Sequence, residues 1–545
     1  MTSLTLLCLA GIVLQSPAAV FLSGAGSAEE MDPQTAEQFE RLSRHPVQLN
    51  NASRSTLLSS GLFSPYQVAS LLEYRQSSGD ILSFAELSRL DGWGSEFARA
   101  LREFVSLESR AVPGQSSTRR TFHADCSLRY GSNGYLGKGD FEFSDRAEIF
   151  VSSSSKRLYN GAVALNERRG RGKLVLGAFN ARFGQGLAKW SGMTMSGFNS
   201  VEALSRRASG ISLSESSSPS DVGVAADYSL GAWTLAACGS LQASDESLSV
   251  LGSVNLSRLG RSSQWGITAD FRPGDLTAAS DFRCRLGRAD LYGEAAWEFS
   301  TAAPALLLGI RLDPAYQVCW GVLARYYSPR FKGASAAAPR SSTKSSDEAG
   351  VSAAARIKWA QASLDCAWHP AKSSLHSKLL LELEPVFKAG ALSLRPSLRL
   401  AERFRPSDSD PWHSDLRADM SLTLGPWSAA ARWNGAWCSG FGWLSYLEGS
   451  YSSERLGVWL RGSLFRIDNW NDRIYCYERD LAGCFNVPAY YGRGVSTSLV
   501  VKCKLGLDKR LRHRIGLRAA ATFYPWMDNG KPSKYEWRLQ YVCSW

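Results

Sequence analysis

The chain has 545 residues, of which 44% are hydrophobic and 21% charged, and beyond its N-terminus it holds no apolar run of 18 residues, which excludes helical membrane spans. It carries a formal charge of +12 and 18 Trp, many of them near predicted strand ends, as interfacial girdles require. The six histidines (His45, His123, His369, His376, His413 and His513) show no metal-ligand spacing, and there is no phosphate-binding glycine loop or dinucleotide fingerprint. The composition therefore points away from an enzyme and from a bound cofactor or metal.

Residues 1–28 read as a signal peptide: Leu4 to Leu14 is an apolar core, and Gly26-Ser27-Ala28 supplies small residues before Glu29. Cys8 stands too early for a lipid-attachment box. From Met31 to Arg110 the pattern is helical. Asp32-Pro33 starts one helix, Ser64-Pro65 starts a second, Gly79 closes it, and Val68, Leu71, Leu72 and Tyr74 give it a buried face. A linker at 111–120 leads to the first strand.

Within this helical part, Leu49-Asn50-Asn51-Ala52-Ser53, Leu57 through Gly61, Gln67-Val68-Ala69, Tyr74-Arg75, Gly79, Phe84-Ala85-Glu86-Leu87 and Gly92-Trp93-Gly94 stand out. Over about 60 residues the segment resembles the tandem helix-hairpin-helix domain of ComEA-type competence proteins. The resemblance implies an all-α domain whose hairpins, Gly61-Leu62-Phe63 and Gly92-Trp93-Gly94, would contact DNA phosphates or a partner. Phe63 stands where that family has a second glycine.

From 121 to 545 the period changes to two, which predicts a large transmembrane antiparallel β-barrel and so a mainly β chain. In 534 to 545, Tyr535, Trp537, Leu539, Tyr541, Cys543 and Trp545 point one way and Glu536, Arg538, Gln540 and Ser544 the other. The same dyad runs through Leu392, Leu394, Leu398 and Leu400, through Leu416 to Leu424, and through 263 to 272, 276 to 286 and 495 to 505. A soluble sandwich or propeller is the alternative, but no blade-length repeat supports the latter.

Short turns at Leu505 to Lys509, Ser452 to Glu454, Gly425-Pro426, Lys388 to Gly390 and Ala360-Gln361 alternate with longer connections at 525 to 533, 467 to 491, 402 to 411, 370 to 375 and 329 to 350. Continued to Thr121, the alternation gives about 24 strands with both termini in the periplasm.

Gly177 through Leu187 contains Phe183-Gly184-Gln185-Gly186-Leu187 and resembles a signature of large outer-membrane proteins of Bacteroidota that carry such a helical domain in front. That resemblance supplies no biochemical role, and Gly184-Gln185-Gly186 is read from its residues as a tight turn. Most cysteines sit singly in strands as small apolar residues. Cys476 and Cys484 share one long loop expected to face an oxidising exterior, which makes them a candidate disulfide.

Charge then weighs the functions. Residues 31–110 hold eight basic and ten acidic side chains, a balance of −2 with no lysine, and this leaves +16 for 111–545 once Glu29 and Glu30 are set aside. A DNA-binding surface gains its affinity from neutralising phosphates, so a net-negative module disfavours DNA. His413-Ser414-Asp415 has the residue types of a hydrolase triad, but strand neighbours face opposite ways. The expectation is an outer-membrane barrel in transport or envelope assembly, with a periplasmic helical plug or docking module; a DNA-uptake component is the alternative. Its partners would be outer-membrane lipid and lipopolysaccharide, the assembly machinery that reads a C-terminal aromatic, and a periplasmic protein.

Overall fold

A computed structural model describes residues 17–545 apart from 26, 32, 109–121, 144–145, 157–158, 168–170, 193–196, 217, 244–247, 261, 313–317, 507–510 and 527–531. The expected linker at 111–120, the helix cap Asp32 and residues 1–16 of the expected signal peptide lie outside the described residues.

Counted from Phe122–Gly131 as the first strand to Lys534–Ser544 as the last, 24 antiparallel strands close into one barrel. Two of them are interrupted. Gly210–Leu213 and Asp221–Leu230 both pair with Gly172–Arg182, and Ser374–Leu383 and Phe387–Ala389 both pair with Leu392–Phe404. The seam joins the two ends of the barrel, with Ala124 and Trp545 exchanging backbone hydrogen bonds of 3.0 and 2.8 Å and Cys126 opposite Cys543. Closure leaves no open sheet edge.

The hairpins explain where the chain turns. Between Leu424 and Trp427, Gly425 supplies a positive φ of 56° and Pro426 a fixed negative one, the combination a two-residue II′ turn needs. The turn expected at Ala360-Gln361 falls instead at Lys358-Trp359, because Ile357 and Ala360 face each other as the last ladder pair.

The dyad has the expected sense. Along Cys319–Tyr327 burial alternates at every residue, with Trp320, Val322 and Tyr326 outside and Leu323, Arg325 and Tyr327 inside. On the last strand Tyr535, Trp537, Leu539, Tyr541 and Trp545 are exposed, whereas Gln540 and Ser544 are buried. An outer face of Leu, Val and aromatics around a polar interior is what a bilayer selects.

Leu398 and Leu422 lie on that outer face, 48% and 38% exposed. Asp at either is expected to lower the yield of heat-modifiable barrel in membranes, because a Lys or Arg at the bilayer midplane costs on the order of 2–4 kcal/mol and Asp somewhat less. Asp at Ser397 or Ser421, on the alternate face, should leave the yield unchanged. Equal losses on both faces in a heat-modifiability gel would contradict the assignment.

The N-terminal part is helical: α1 Pro17–Ser23, α2 Pro33–Arg44, α3 Arg54–Ser59, α4 Pro65–Ser77, α5 Phe84–Leu87 and α6 Ser95–Ala100. A short parallel pair, Val47–Gln48 with Val105–Ser106, ties the segment after α2 to the one after α6. Asn50 ties the centre together, donating to the carbonyls of Ile81 (2.9 Å) and Leu107 (3.0 Å) and accepting from the Ile81 N–H. Ser64 and Gln67 form a capping box at the start of α4. Phe63 is buried and packs on Trp93 at 5.1 Å, so its ring fills the core between the turn before α4 and the turn before α6. Within the segment expected to be removed, α1 contributes buried Ala19 and Leu22 to this same core.

Three long loops at the end opposite the termini, 183–209, 328–347 and 468–491, fold inward instead of standing clear of the wall. Leu187, Phe198 and Leu204 pack with Tyr327, Phe331 and Ala338, while Cys476, Leu481 and Cys484 are buried against inward-facing strand residues.

Candidate functional site

The helical region touches the inner wall on widely separated strands. Around the ring, it meets Asp125, Lys138, Glu148, Lys173, Arg285, Arg356, Arg399, Arg417 and Arg432, which belong to strands 1, 2, 3, 5, 10, 14, 17, 18 and 19 of the closed series. Contacts on all sides of a closed ring require the helical region to lie within it.

These contacts are mostly ionic. Acidic Glu29 meets Arg432 (2.5 Å) and Arg417 (3.3 Å), Glu30 meets Arg399, and Glu37 meets Lys138. Burial pushes the Glu29 carboxyl upward, but Arg432 and Arg417 outweigh it and hold it well below the usual carboxylate range. Two clusters are reversed: Arg41, on α2, reaches into the wall to Glu148 (2.6 Å), Asp140 (3.7 Å) and, between Leu213 and Asp221, Glu215, and Arg44 reaches Asp125 (3.3 Å). Arg285 adds a cation–π contact over Tyr66, 4.8 Å from the ring centre. Glu29 and Glu30, just ahead of the 31–110 segment, thus supply the pairs to the inward-facing Arg399, Arg417 and Arg432, while 31–110 pairs with the wall in both senses.

The two hairpins lie inside this interface. Leu62, Phe63 and Trp93 are buried. Gly61, Gly92 and Gly94 have positive φ of 68°, 82° and 61°, which glycine adopts at no steric cost in the tight turns before α4 and α6. The Leu62 carbonyl accepts a hydrogen bond from Arg207 of an infolded loop (3.2 Å), and Arg285 lies 3.9 Å from Asp91 beside the second hairpin. Each hairpin is thus touched by an arginine of the barrel portion, while Asp91 stays exposed.

Gly184-Gln185-Gly186 is a turn with positive φ at both glycines, 57° and 89°. Its backbone embraces a carboxylate of the barrel, with Glu294 accepting from the N–H groups of Gln185 (2.6 Å) and Leu187 (3.2 Å). Gln185 is buried, and its side-chain oxygen accepts from the Arg206 N–H at 2.8 Å. The motif pins the infolded loop 183–209 to the wall.

The candidate disulfide requires a correction. Cys476 and Cys484 are both free thiols. Their loop turns into the lumen, where the two sulfurs enter separate surroundings: Cys476 lies near Arg432 and Arg461, and Cys484 beside Arg129. Spacing within one loop said nothing of that inward turn. His413-Ser414-Asp415 builds no triad either, since Ser414 Oγ donates to Glu402 across the strand pair (2.6 Å).

One cluster has no counterpart in the sequence reading. His45, just after α2, brings Nε2 to 2.6 Å from Asp125 Oδ2 and 2.9 Å from His123 Nε2. Since 78 residues separate the two histidines, no local spacing betrays them. The one signal in the sequence is the His123-Asp125 alternation on a strand, which sets both on the same face.

Between the helical region and the wall lies a cavity of about 70 Å³, lined in part by Arg54, Arg182, Asp227, Arg258, Gln264 and Asp281. It has room for a few waters.

No family model and no curated protein matches the chain. The ComEA-type and Bacteroidota resemblances accordingly gain no support from these comparisons. Several solved structures are similar over most of the chain. OccK5 (OpdH) of Pseudomonas aeruginosa has 9% identity and a TM-score of 0.31, over 78% of this chain and 96% of that one. The outer membrane protein opdK of the same organism has 9% identity and a TM-score of 0.33, over 78% and 98%. The E. coli P pilus tip assembly intermediate PapC-PapD-PapK-PapG has 9% identity and a TM-score of 0.46, over 78% and 60%.

Proposed function

We propose that the chain is an outer-membrane barrel whose lumen is closed by its own helical region, and that it serves transport or envelope assembly by moving that region aside. The observation that carries this reading is the ring of contacts from the helical region to strands spread around the whole circumference. Barrels of more than twenty strands leave a wide lumen that leaks unless it is filled. Here a helical insert ion-paired to the wall fills it, and the infolded loops 183–209 and 468–491 meet it from the other end. Outer-membrane lipid and lipopolysaccharide would surround the barrel. The assembly machinery would read Trp545, and a periplasmic protein would engage the helical region to release it. Cells carrying the chain without residues 31–110 should admit bulky hydrophilic antibiotics that control cells exclude. Unchanged sensitivity, with normal amounts of heat-modifiable barrel, would count against closure.

The two helix pairs joined through Gly61-Leu62-Phe63 and Gly92-Trp93-Gly94 keep a second reading, DNA capture during uptake, open to experiment. The net negative charge of residues 31–110 disfavours it. The full chain in detergent is expected to show no saturable duplex binding near physiological salt, where non-specific binders have Kd values of about 10⁻⁴ to 10⁻⁶ M. Binding in that range, steeply weakened by salt and lost in Gly92→Glu or Gly94→Glu, would promote the DNA reading.

A further inference from the structure

We propose that His45, His123 and Asp125 form a site for a divalent transition-metal ion of the zinc type, which clasps the helical region to the first strand of the barrel. The inference rests on the lumen-closing role for its physiological meaning and on local geometry for its existence.

The three side chains come from two separate parts of the fold. His45 continues the C-terminal end of α2, its N–H bonded to the Arg41 carbonyl at 2.8 Å. His123 and Asp125 stand two residues apart on Phe122–Gly131 and so share a face. One ligand atom from each residue lies within 4.8 Å of the other two. The imidazoles meet edge to face, with centroids 3.9 Å apart.

Proton counting shows what this arrangement lacks. An imidazole nitrogen holds one proton or one lone pair. His45 Nε2 faces a carboxylate oxygen at 2.6 Å and a second imidazole nitrogen at 2.9 Å. If the proton sits on His45, both neighbours compete for it. If it sits on His123, a bare His45 lone pair faces the carboxylate. An ion among the three atoms resolves the conflict, since every lone pair then points at positive charge.

Asp125 itself is 9% exposed, so its carboxylate is largely withdrawn from solvent.

Two imidazoles and one carboxylate are a donor set for zinc, with a fourth position left for water. Bonds of about 2.0–2.2 Å require the ligand atoms to part by roughly half an ångström. That is a small adjustment for side chains at a helix end and on a strand. Arg44, 3.3 Å from Asp125 Oδ2, is the cation that competes for the carboxylate.

The test uses the full chain, folded in detergent and checked by heat-modifiability, titrated calorimetrically with Zn²⁺ alone. One ion per chain is expected. His45→Ala or His123→Ala should weaken binding by at least about 100-fold, the upper end of what disturbing a mere outer-shell partner costs. Arg44→Gln should tighten it, an outcome that a purely structural role for this corner does not give. Absence of stoichiometric binding, or unchanged affinity in both histidine variants, overturns the site. If a histidine variant does not form a barrel, protection of His45 and His123 by Zn²⁺ against diethyl pyrocarbonate in the parent chain decides instead, and lack of protection refutes the proposal. Zinc binding with no leak on deleting 31–110 would keep the site and remove the lumen-closing role; a leak without zinc binding would do the reverse.

Discussion

Deleting Cys543 to Trp545 is expected to abolish assembly almost completely, leaving the chain in the periplasm as a substrate for proteases. The three residues form the end of the barrel seam. Trp545 and Ala124 exchange two backbone hydrogen bonds, Cys543 lies opposite Cys126, and the Trp545 ring packs on Phe122 at 4.8 Å. Without them the first strand keeps unpaired backbone groups at its membrane edge, each costing several kcal/mol in hydrocarbon. The loss of the terminal aromatic also removes the signal expected to recruit the assembly machinery. A heat-modifiability gel on the membrane fraction reads both effects together. Truncated chain at normal levels in folded form would show that neither the seam nor the terminal aromatic governs assembly.

The barrel was legible because its information is local. A strand between lipid and a polar lumen must alternate, and Tyr535 to Trp545 or Leu416 to Leu424 display that alternation residue by residue. Turn residues such as Gly425-Pro426 then allowed the strands to be counted. The helical region was legible for the same reason: caps at Ser64-Pro65 and the glycine after α4 mark its elements in sequence.

What was hidden depends on long-range placement. The charge count showed a negative helical region and a basic barrel, but the pairing of Glu29 with Arg432 and Arg417 joins residues about 400 apart. No pattern along the chain encodes such a contact. The infolding of 468–491 was likewise invisible, because a long loop with buried Asp472, Asp480 and Cys484 reads locally as a polar external loop. That error carried the expected disulfide with it. His45 and His123 failed to register for a related reason, since a helix end and a strand meet only once the ring has closed around the helical region.

The ion pairs that hold the helical region give a graded handle on closure. Glu29 and Glu30 are mostly buried, with side chains 11% and 23% exposed, and face Arg432, Arg417 and Arg399. Breaking a well-buried pair costs about 3–5 kcal/mol, and partial exposure places these toward or below the lower end. Glu29→Ala combined with Glu30→Ala should therefore loosen the insert without unfolding the barrel.

The most direct measurement of closure is conductance across a planar bilayer. The purified full chain is expected to hold a closed baseline. The double variant should show brief openings, and the chain lacking 31–110, verified as heat-modifiable barrel, should give stable large steps. Large steady conductance from the full chain, or a closed baseline from the folded deletion variant, would contradict the claim that the helical region fills the lumen.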